Sequence, residues 1–418
     1  MKHDTSTLQA WEASTTREGA LNQLERFLPE VPAYAAFRNR VEEGHPFVSK
    51  LSSALSTRLI TEYEVAAKVL SAHSFESAEK FLQEVAWRLY WKGWMEWHPN
   101  VWQAYRLRTD KRHAEPEMME RYHALSEGRA PHPLMNRFIR ELRETGYLHN
   151  HARMWLAAYW IHDVGLPWEW GAEFFYQHLL DADAASNTLS WRWVAGRHTK
   201  GKVYRARRDN ILRYCRYDEA TDASLSDLAN SPDAPCPWEE PDRLNAWPET
   251  TPGTIPNDAL LWIHGADLSF WENQTEVNKL NVPTPSRAVI LWDERLMDTV
   301  GLSQVRRRAM RSMLDDAASR WRIGGRSSVD ILETDWCSGL THMADQYDCR
   351  HVVAMHVRVG ILQDTVMASL PALENRGIQL NWLSRPQDEQ VLKLAKGGFF
   401  SFWKEVSARW RAGQWIGS

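Results

Sequence analysis

The sequence lacks the features by which several protein classes are recognised. Its four cysteines (Cys215, Cys236, Cys337 and Cys349) form no C-x-x-C pair and lie near no histidine pattern, so we expect free thiols and no metal site. No run of eighteen apolar residues occurs, and the N-terminus has neither an apolar h-region nor an arginine-rich amphipathic pattern. These absences predict no membrane span and a cytoplasmic location.

The overall charge of the protein gives no indication of nucleic-acid binding either. The net charge is −4 over 418 residues, so any case for nucleic acid must rest on a local patch. Hydrophobic residues make up 44% and charged residues 25%, a globular composition, and the length allows two domains. The 23 tryptophans are unusual and suit core packing, electron relay or base stacking.

Periodicity predicts that residues 1–217 are helical, with no competing strand. Residues 20–43 fit a helix, a proline-marked turn and a second short helix, and residues 77–97 fit one helix with an aromatic stripe. From 134 to 193 the pattern alternates helix and turn, with Gly146 ending one helix and Pro167 in the first turn of another.

The amino-acid composition and the hydrophobic pattern change after residue 217. Residues 218–258 hold seven prolines and predict an interdomain linker. In 259–418, five β-branched or aromatic runs alternate with helices such as 303–322 and 360–376, which predicts a parallel sheet in an α/β, Rossmann-like domain. The five runs are ALLWIHG (259–265), RAVILWD (287–293), SVDILET (328–334), RHVVAMH (350–356) and IQLNWLS (378–384). No G-x-G-x-x-G follows the first strand, so the dinucleotide fingerprint is absent.

Residues 146–193 place more polar groups in an apolar helical pattern than a plain core tolerates. Such groups are costly to bury without partners, so their convergence on a buried ligand is the favoured interpretation. A helical bundle with incidental polar residues, or aspartates that only cap helices, is the alternative. The polar residues are Asn150, Arg153, Asp181, Asp183 and Asn187.

A local basic patch follows directly. Residues 192–216 hold nine lysines and arginines against the single acid Asp209. Phosphate contact is one interpretation because the run adjoins the presumed site, and a solvated charged loop is the other.

Two blocks in this region, G-Y-L-H-N-x-x-R-M and L-L-D-A-D-A-A-S-N-x-x-x-W-R-W, resemble the flavin-binding core of the photolyase/cryptochrome superfamily. The α/β half resembles the family's other domain more weakly, through LLWIHGADLSFWENQ and GGFFSFWKEVSARW (397–410). In the family that domain comes first, so the resemblance implies a circularly permuted order. Permutation is feasible where chain ends are exposed and close together.

The resemblance implies FAD as the cofactor, with Asp181 paired to Arg153, Asp183 accepting from the flavin or its adenosine end, and Asn187 at the flavin N5. The turn at 49–52 resembles the family's S-R-L-S phosphate segment, although the segment taken alone fits an ordinary serine N-cap better. The implied cofactor residues are Tyr34, Ser49, Lys50, Leu51, Ser52, Arg88, Trp91, Asn150, Arg153, Asp181, Asp183 and Asn187. An antenna chromophore is not identified by any motif.

The resemblance further implies a pocket for cyclobutane pyrimidine dimers, formed by Glu84, Trp87, Asn150, Met154 and Trp193. The expected function is blue-light-driven repair of damaged DNA by a monomeric lyase. A cryptochrome-like photoreceptor without repair is the alternative, since it needs only the flavin site. The expected DNA contacts are Arg38, His151, Arg197, Lys200, Lys202, Arg205, Arg207 and Arg208.

Electron supply to the flavin departs from the family pattern. Trp191 and Trp168 match the first two members of the family's tryptophan chain, but Leu125 occupies the distal place. The route therefore either stops at Trp168 or detours through Trp155 or Trp160, unless both of these only pack the core.

Overall fold

The computed structural model describes residues 15–228, 240–248, 255–269, 285, 287–321 and 329–414. A helical domain comes first and a parallel α/β domain second, which confirms the predicted fold classes. The helices of the first part are Arg17–Phe27 (α1), Tyr34–Phe37 (α2), Ser52–Ser56 (α3), Glu62–Ala72 (α4), Phe75–Trp97 (α5), Pro99–Arg108 (α6), Pro116–Ser126 (α7), Pro133–Thr145 (α8), Asn150–Ala158 (α9), Trp168–His178 (α10), Ala184–Val194 (α11) and Arg208–Tyr214 (α12).

Local signals in the sequence set the ends of these helices. Thr61 and Glu64 form a reciprocal capping box at the start of α4, which satisfies two amides that lack helical partners. Gly146 ends α8 with φ of 70°, a left-handed conformation that glycine adopts at little cost. Pro167 precedes Trp168 as the residue capping α10, one position before the predicted place. A short π-helix at Tyr159–Asp163 continues α9.

The second domain contains a five-stranded parallel sheet. Its strands are Leu260–Ile263 (β1), Arg287–Trp292 (β2), Ile331–Glu333 (β3), His351–Met355 (β4) and Gln379–Leu383 (β5). Their spatial order is β3-β2-β1-β4-β5. Strands β2 and β3 therefore lie on one side of β1, and β4 and β5 lie on the other. Leu260 pairs with Arg287 on one side and Val352 on the other. All five predicted runs contain a strand; residues 322–328 lie outside the described chain.

Helices connect the strands and cover the sheet, as parallel pairing requires. Their bounds are Glu294–Val300 (α13), Gln304–Arg320 (α14), Trp336–Gln346 (α15), Ile361–Glu374 (α16), Pro386–Val391 (α17) and Phe399–Arg411 (α18).

The two domains share a tight interface along α5. A Cβ added at Gly93 of α5 would lie 2.4 Å from the carbonyl oxygen of Leu392, so only glycine permits this approach. Helix α18 packs on α5 through a buried stripe of Phe402, Val406 and Trp410.

Buried ion pairs complete this interface. The Arg58 guanidinium of the helical domain donates to Asp388 of the α/β domain, with Nη2 2.9 Å from Oδ1. Beside this pair and within the α/β domain, Arg385 donates to Asp267 at the same distance. Burial raises the pKa of Asp267, but the charges of Arg385 and Arg58 outweigh this effect and hold the pKa below its ordinary value. Because a buried charge without a partner is costly, the Arg58–Asp388 pair, which joins the two domains, constrains how they dock.

The predicted linker is only partly within the described chain. Residues 218–228 form two 3₁₀ turns, Asp218–Thr221 and Ala223–Asp227, against the helical domain. Residues 240–248 lie against the end of α5, where the Leu244 amide donates to the Trp97 carbonyl over 2.9 Å. Residues 229–239, with Cys236, and 249–254 lie outside the described residues; the other three cysteines are free. No described helix is both long and apolar enough to span a membrane.

Candidate functional site

A cavity of about 1650 Å³ opens between α5, α9, α11 and the N-terminal end of α18. It exceeds the roughly 300–1,000 Å³ of ordinary ligand pockets, so it can hold a dinucleotide and a second ligand side by side. Of the residues that the resemblance assigned to the cofactor, all but Asp183 line it: Tyr34, Ser49, Lys50, Leu51, Ser52, Arg88, Trp91, Asn150, Arg153, Asp181 and Asn187.

The polar wall of the cavity is built around Asp181, which is 5% exposed. Arg153 lies with Nη1 3.1 Å from its carboxylate. Burial raises the pKa of Asp181, but the charges of Arg153 and Arg88 outweigh it and hold that pKa below its ordinary value. The carboxylate is therefore an anion within a cationic setting, suited to accept from a neutral donor of a ligand.

Asp183 has a different place. Its carboxylate caps α11 by accepting from the Ser186 amide over 2.7 Å and pairs with Arg88, whose Nη2 is 3.1 Å from Oδ2. Asp183 lines a second, smaller cavity of about 280 Å³. These are the contacts of a helix-capping residue, the role that the sequence left open. Asp183 influences the main cavity by orienting Arg88.

Several groups on the wall of the main cavity are oriented for a ligand. The Asn187 side-chain amide donates to the Ala172 carbonyl over 2.7 Å, which leaves its oxygen as the acceptor. The buried Ser186 hydroxyl and the Trp191 indole nitrogen have no hydrogen-bond partner. Unsatisfied buried polar atoms are costly, and a polar heterocycle beside them would supply partners. The residues present therefore fit a flavin-type cofactor.

The residues expected to hold the substrate line the same cavity: Glu84, Trp87, Asn150, Met154 and Trp193. The Glu84 carboxylate forms two ion pairs: its Oε1 lies 2.9 Å from Nζ of Lys80 and 3.2 Å from Nη1 of Arg38. The Trp87 ring is 4.9 Å from that of Trp91, centroid to centroid. Aromatic walls with one anionic acceptor suit a flat, uncharged base.

The expected DNA contacts differ in their exposure and in their relation to the cavity. Lys200 and Lys202 are exposed and line the cavity, and Arg38 lines it beside Glu84. His151 is 9% exposed, and its two ring nitrogens lie 3.2 Å from the Asn39 carbonyl and from Asn210, so it is a poor phosphate contact. Arg197, Arg205, Arg207 and Arg208 belong to the basic run but do not line the cavity within the described chain.

The tertiary structure adds residues that the sequence did not indicate. His198 lies 4.7 Å from the Trp91 ring, and burial beside Arg192 lowers its pKa to about 3, so it is a neutral wall. Residues 240–245 of the linker and residues 396–401 also line the cavity. The resemblance of residues 397–410 to the family's other domain implied no role at this site, and no motif marks His198 or residues 240–245.

The packing of the helices also sets the aromatic neighbours of Trp191, the inner tryptophan of the expected electron-transfer chain. Trp191 is 2% exposed, and its described ring neighbours are Trp160 at 5.9 Å and Phe175 at 4.9 Å. Trp168 stacks instead on Tyr105 at 5.8 Å. Leu125 is buried in α7.

Residues 81–225 match the model of the FAD binding domain of DNA photolyase. By this match, residues 81–225 are a photolyase-type FAD binding domain. Two curated relatives illustrate the match. The deoxyribodipyrimidine photo-lyase of Streptomyces griseus is 29% identical over 187 residues, which is 43% of this chain and 40% of that protein. The cryptochrome DASH of Vibrio parahaemolyticus is 25% identical over 168 residues, 39% of this chain and 38% of that protein.

The chain thus matches about two fifths of the length of these relatives. Among solved structures, the Synechocystis sp. PCC6803 cryptochrome gives a TM-score of 0.43 at 23% identity, covering 48% of this chain and 43% of that one.

Proposed function

We propose that the protein binds FAD and uses blue light to split cyclobutane pyrimidine dimers in DNA. The observation that carries this proposal is that Glu84, Trp87, Met154 and Trp193 line the same cavity as Arg153, Asp181 and Asn187. A dimer held by the first group would adjoin a flavin held by the second. Proximity of donor and acceptor is the main contribution a protein can make to such a reaction.

FAD, when bound and reduced, supplies the light-absorbing electron donor. The protein positions it through the Arg153–Asp181 pair, through Arg88 and through the Asn187 oxygen, which suits a protonated ring nitrogen. The turn at 49–52 lines the cavity and offers hydroxyls to the pyrophosphate, with Lys50 as a neighbouring cation. Trp91 and neutral His198 close the apolar side and exclude water.

The substrate residues hold and discriminate the lesion. The Glu84 carboxylate accepts a ring N–H, while Arg38 beside it donates to a pyrimidine carbonyl. Donors next to a carbonyl stabilise negative charge that develops there when the dimer gains an electron. Breaking both cyclobutane C–C bonds regenerates two pyrimidines and returns the electron, so the reaction needs no net oxidant.

The DNA backbone would be held by the basic run. Arg205, Arg207 and Arg208 supply cations in the middle of this run, and Lys200 and Lys202 lie at the cavity itself. Extrusion of a dimer costs a few kcal/mol and least where pairing is already broken, so single strands are favoured substrates. The α/β domain, which follows rather than precedes the helical domain, is proposed to be the family's other domain in permuted order, covering 259–418.

The deciding experiment exposes ultraviolet-damaged oligothymidine to blue light with the FAD-loaded protein. Loss of dimers, measured by chromatography and absent in the dark, is expected. Glu84→Ala should slow repair and retain FAD. A protein that binds FAD and responds to light but leaves dimers intact would instead be a photoreceptor, and this outcome would contradict the repair function.

A second experiment tests the basic run. Neutralising Arg205, Arg207 and Arg208 together should weaken DNA binding and lower the slope of log affinity against log salt by about two to three. The matched control neutralises three exposed arginines elsewhere, Arg140, Arg295 and Arg308. Equal slopes in both triple variants would show that the run is only a solvated loop.

A further inference from the structure

Phe400 is a large apolar side chain held at the rim of the main cavity. It is 75% exposed, although the residues around it on α18 (Phe399, Phe402 and Trp403) are buried. The buried stripe of α18 docks on α5, so the backbone that carries Phe400 is firmly anchored. Nothing in the packing of the helix requires an aromatic ring at this position.

The surroundings of Phe400 connect it to the proposed lesion site. Its ring lies 5.7 Å from that of Phe399 at an interplanar angle of 72°. Phe399 in turn stacks on Trp87, with ring centroids 3.6 Å apart. Phe400 is therefore two ring contacts from a wall on which a pyrimidine dimer would rest.

Charge at the same rim suits a polyanion. Lys200, Lys202 and Lys396 are exposed and, with Phe400, line the cavity. An exposed aromatic ring among cations is the combination by which proteins contact unstacked nucleic acid. Leu107 and Met367 are also exposed apolar residues, but neither lies among the described cavity residues, and single exposed apolar side chains of that kind need no special explanation.

We propose that Phe400 is a wedge residue that enters duplex DNA when a dimer is extruded and fills the space the lesion leaves. The inference rests on the proposed repair function and specifies how the α/β domain takes part in it. Extrusion unstacks the neighbouring base pairs, and an inserted ring restores part of the lost stacking. A single strand has no such gap, so Phe400 discriminates between the two forms of substrate.

The test measures the affinity of the FAD-loaded protein for one dimer in a duplex and the same dimer in a single strand. In Phe400→Ser, the ratio of duplex to single-strand affinity should fall roughly tenfold, the size of one lost ring–base stack. Phe400→Trp should restore the ratio. Leu107→Ser is the matched control and should keep the wild-type ratio.

A second readout follows the DNA itself. With 2-aminopurine opposite the lesion, wild-type protein should quench the fluorescence gained on extrusion more than Phe400→Ser does. An unchanged affinity ratio together with unchanged fluorescence would overturn the wedge while leaving repair intact. Failure of the wild-type protein to bind either dimer substrate would overturn the repair function, and the wedge with it.

Discussion

The ring of Phe399 lies face to face with the ring of Trp87, with centroids 3.6 Å apart and planes 6° from parallel. This contact joins the last helix of the α/β domain to the central helix of the helical domain. It also fixes the plane of a tryptophan that lines the proposed lesion pocket. One face of Trp87 is therefore covered by protein, and only the other can meet a base.

Adjacent phenylalanines on α18 should differ sharply in their contribution to stability. Phe399 is 4% exposed, so Phe399→Ala should lower the free energy of unfolding by about 3–5 kcal/mol through lost burial and a residual cavity. Phe400→Ala, at an exposed site, should change it by less than about 0.5 kcal/mol. Denaturant unfolding of both variants measures the difference; similar losses would contradict the packing described here.

Flavin retention should depend on the buried pair of Arg153 and Asp181. Asp181→Ala leaves the Arg153 charge without its partner and removes an acceptor, so the bound FAD per protein should fall at least tenfold. Arg137→Ala, which breaks the partly exposed pair with Glu219 at 3.4 Å, is the control and should retain FAD. Absorbance of gel-filtered protein provides the measurement. Full flavin content in Asp181→Ala would refute the assignment of this wall.

Gly171 should be irreplaceable because of the indole beside it. A Cβ at this position would lie 2.2 Å from Cη2 of Trp191, which is far inside van der Waals contact. Gly171→Ala should therefore destabilise the protein by about 1–3 kcal/mol, even though alanine favours helix by up to about 1 kcal/mol. Gly265→Ala, where no neighbour lies within 4 Å, is the control. Thermal unfolding and the near-ultraviolet circular dichroism of tryptophan should report the change.

Photoreduction of the flavin should proceed through Trp160. Its ring is 5.9 Å from that of Trp191, whereas the described neighbour of Trp168 is Tyr105. Trp191→Phe should abolish flavin reduction under blue light with an external reductant, and Trp160→Phe should slow it more than Trp168→Phe. Leu125→Trp should have no effect. Acceleration by Leu125→Trp would indicate a truncated chain, and normal reduction in Trp191→Phe would remove the inner tryptophan from the route.

Stability should fall with acidity partly because of His149. Burial, with His45 next in effect, lowers the pKa of His149 to about 3, and its Nδ1 accepts from the His151 amide over 3.1 Å. The unfolded chain binds a proton at this residue below about pH 6.5 while the folded chain does not, so the contribution is complete above that pH and is lost below it. His149→Asn should make the acid limb shallower by about 1.4 kcal/mol per pH unit, measured by denaturant unfolding between pH 4 and 7 at roughly half-unit steps. An unchanged slope would contradict a neutral buried imidazole.

The helices, the strands and their order along the chain could be predicted from the sequence. Apolar periodicity and caps such as Gly146 act within a few residues, so helices 75–97 and 133–145 and all five strands could be predicted locally. The spacing of residue types such as Arg153, Asp181 and Asn187 also marked one site, because polar groups in apolar helices need a shared partner.

Which of these residues share a surface depends on the packing of the folded chain. Asp183 was indistinguishable from Asp181 by pattern, yet it lines the smaller cavity, and its carboxylate is engaged by the Ser186 amide and by Arg88. Phe399, Phe400 and His198 reach the cavity through contacts between parts of the chain far apart in sequence. Such contacts depend on how whole surfaces pack, and no local pattern of residues encodes them.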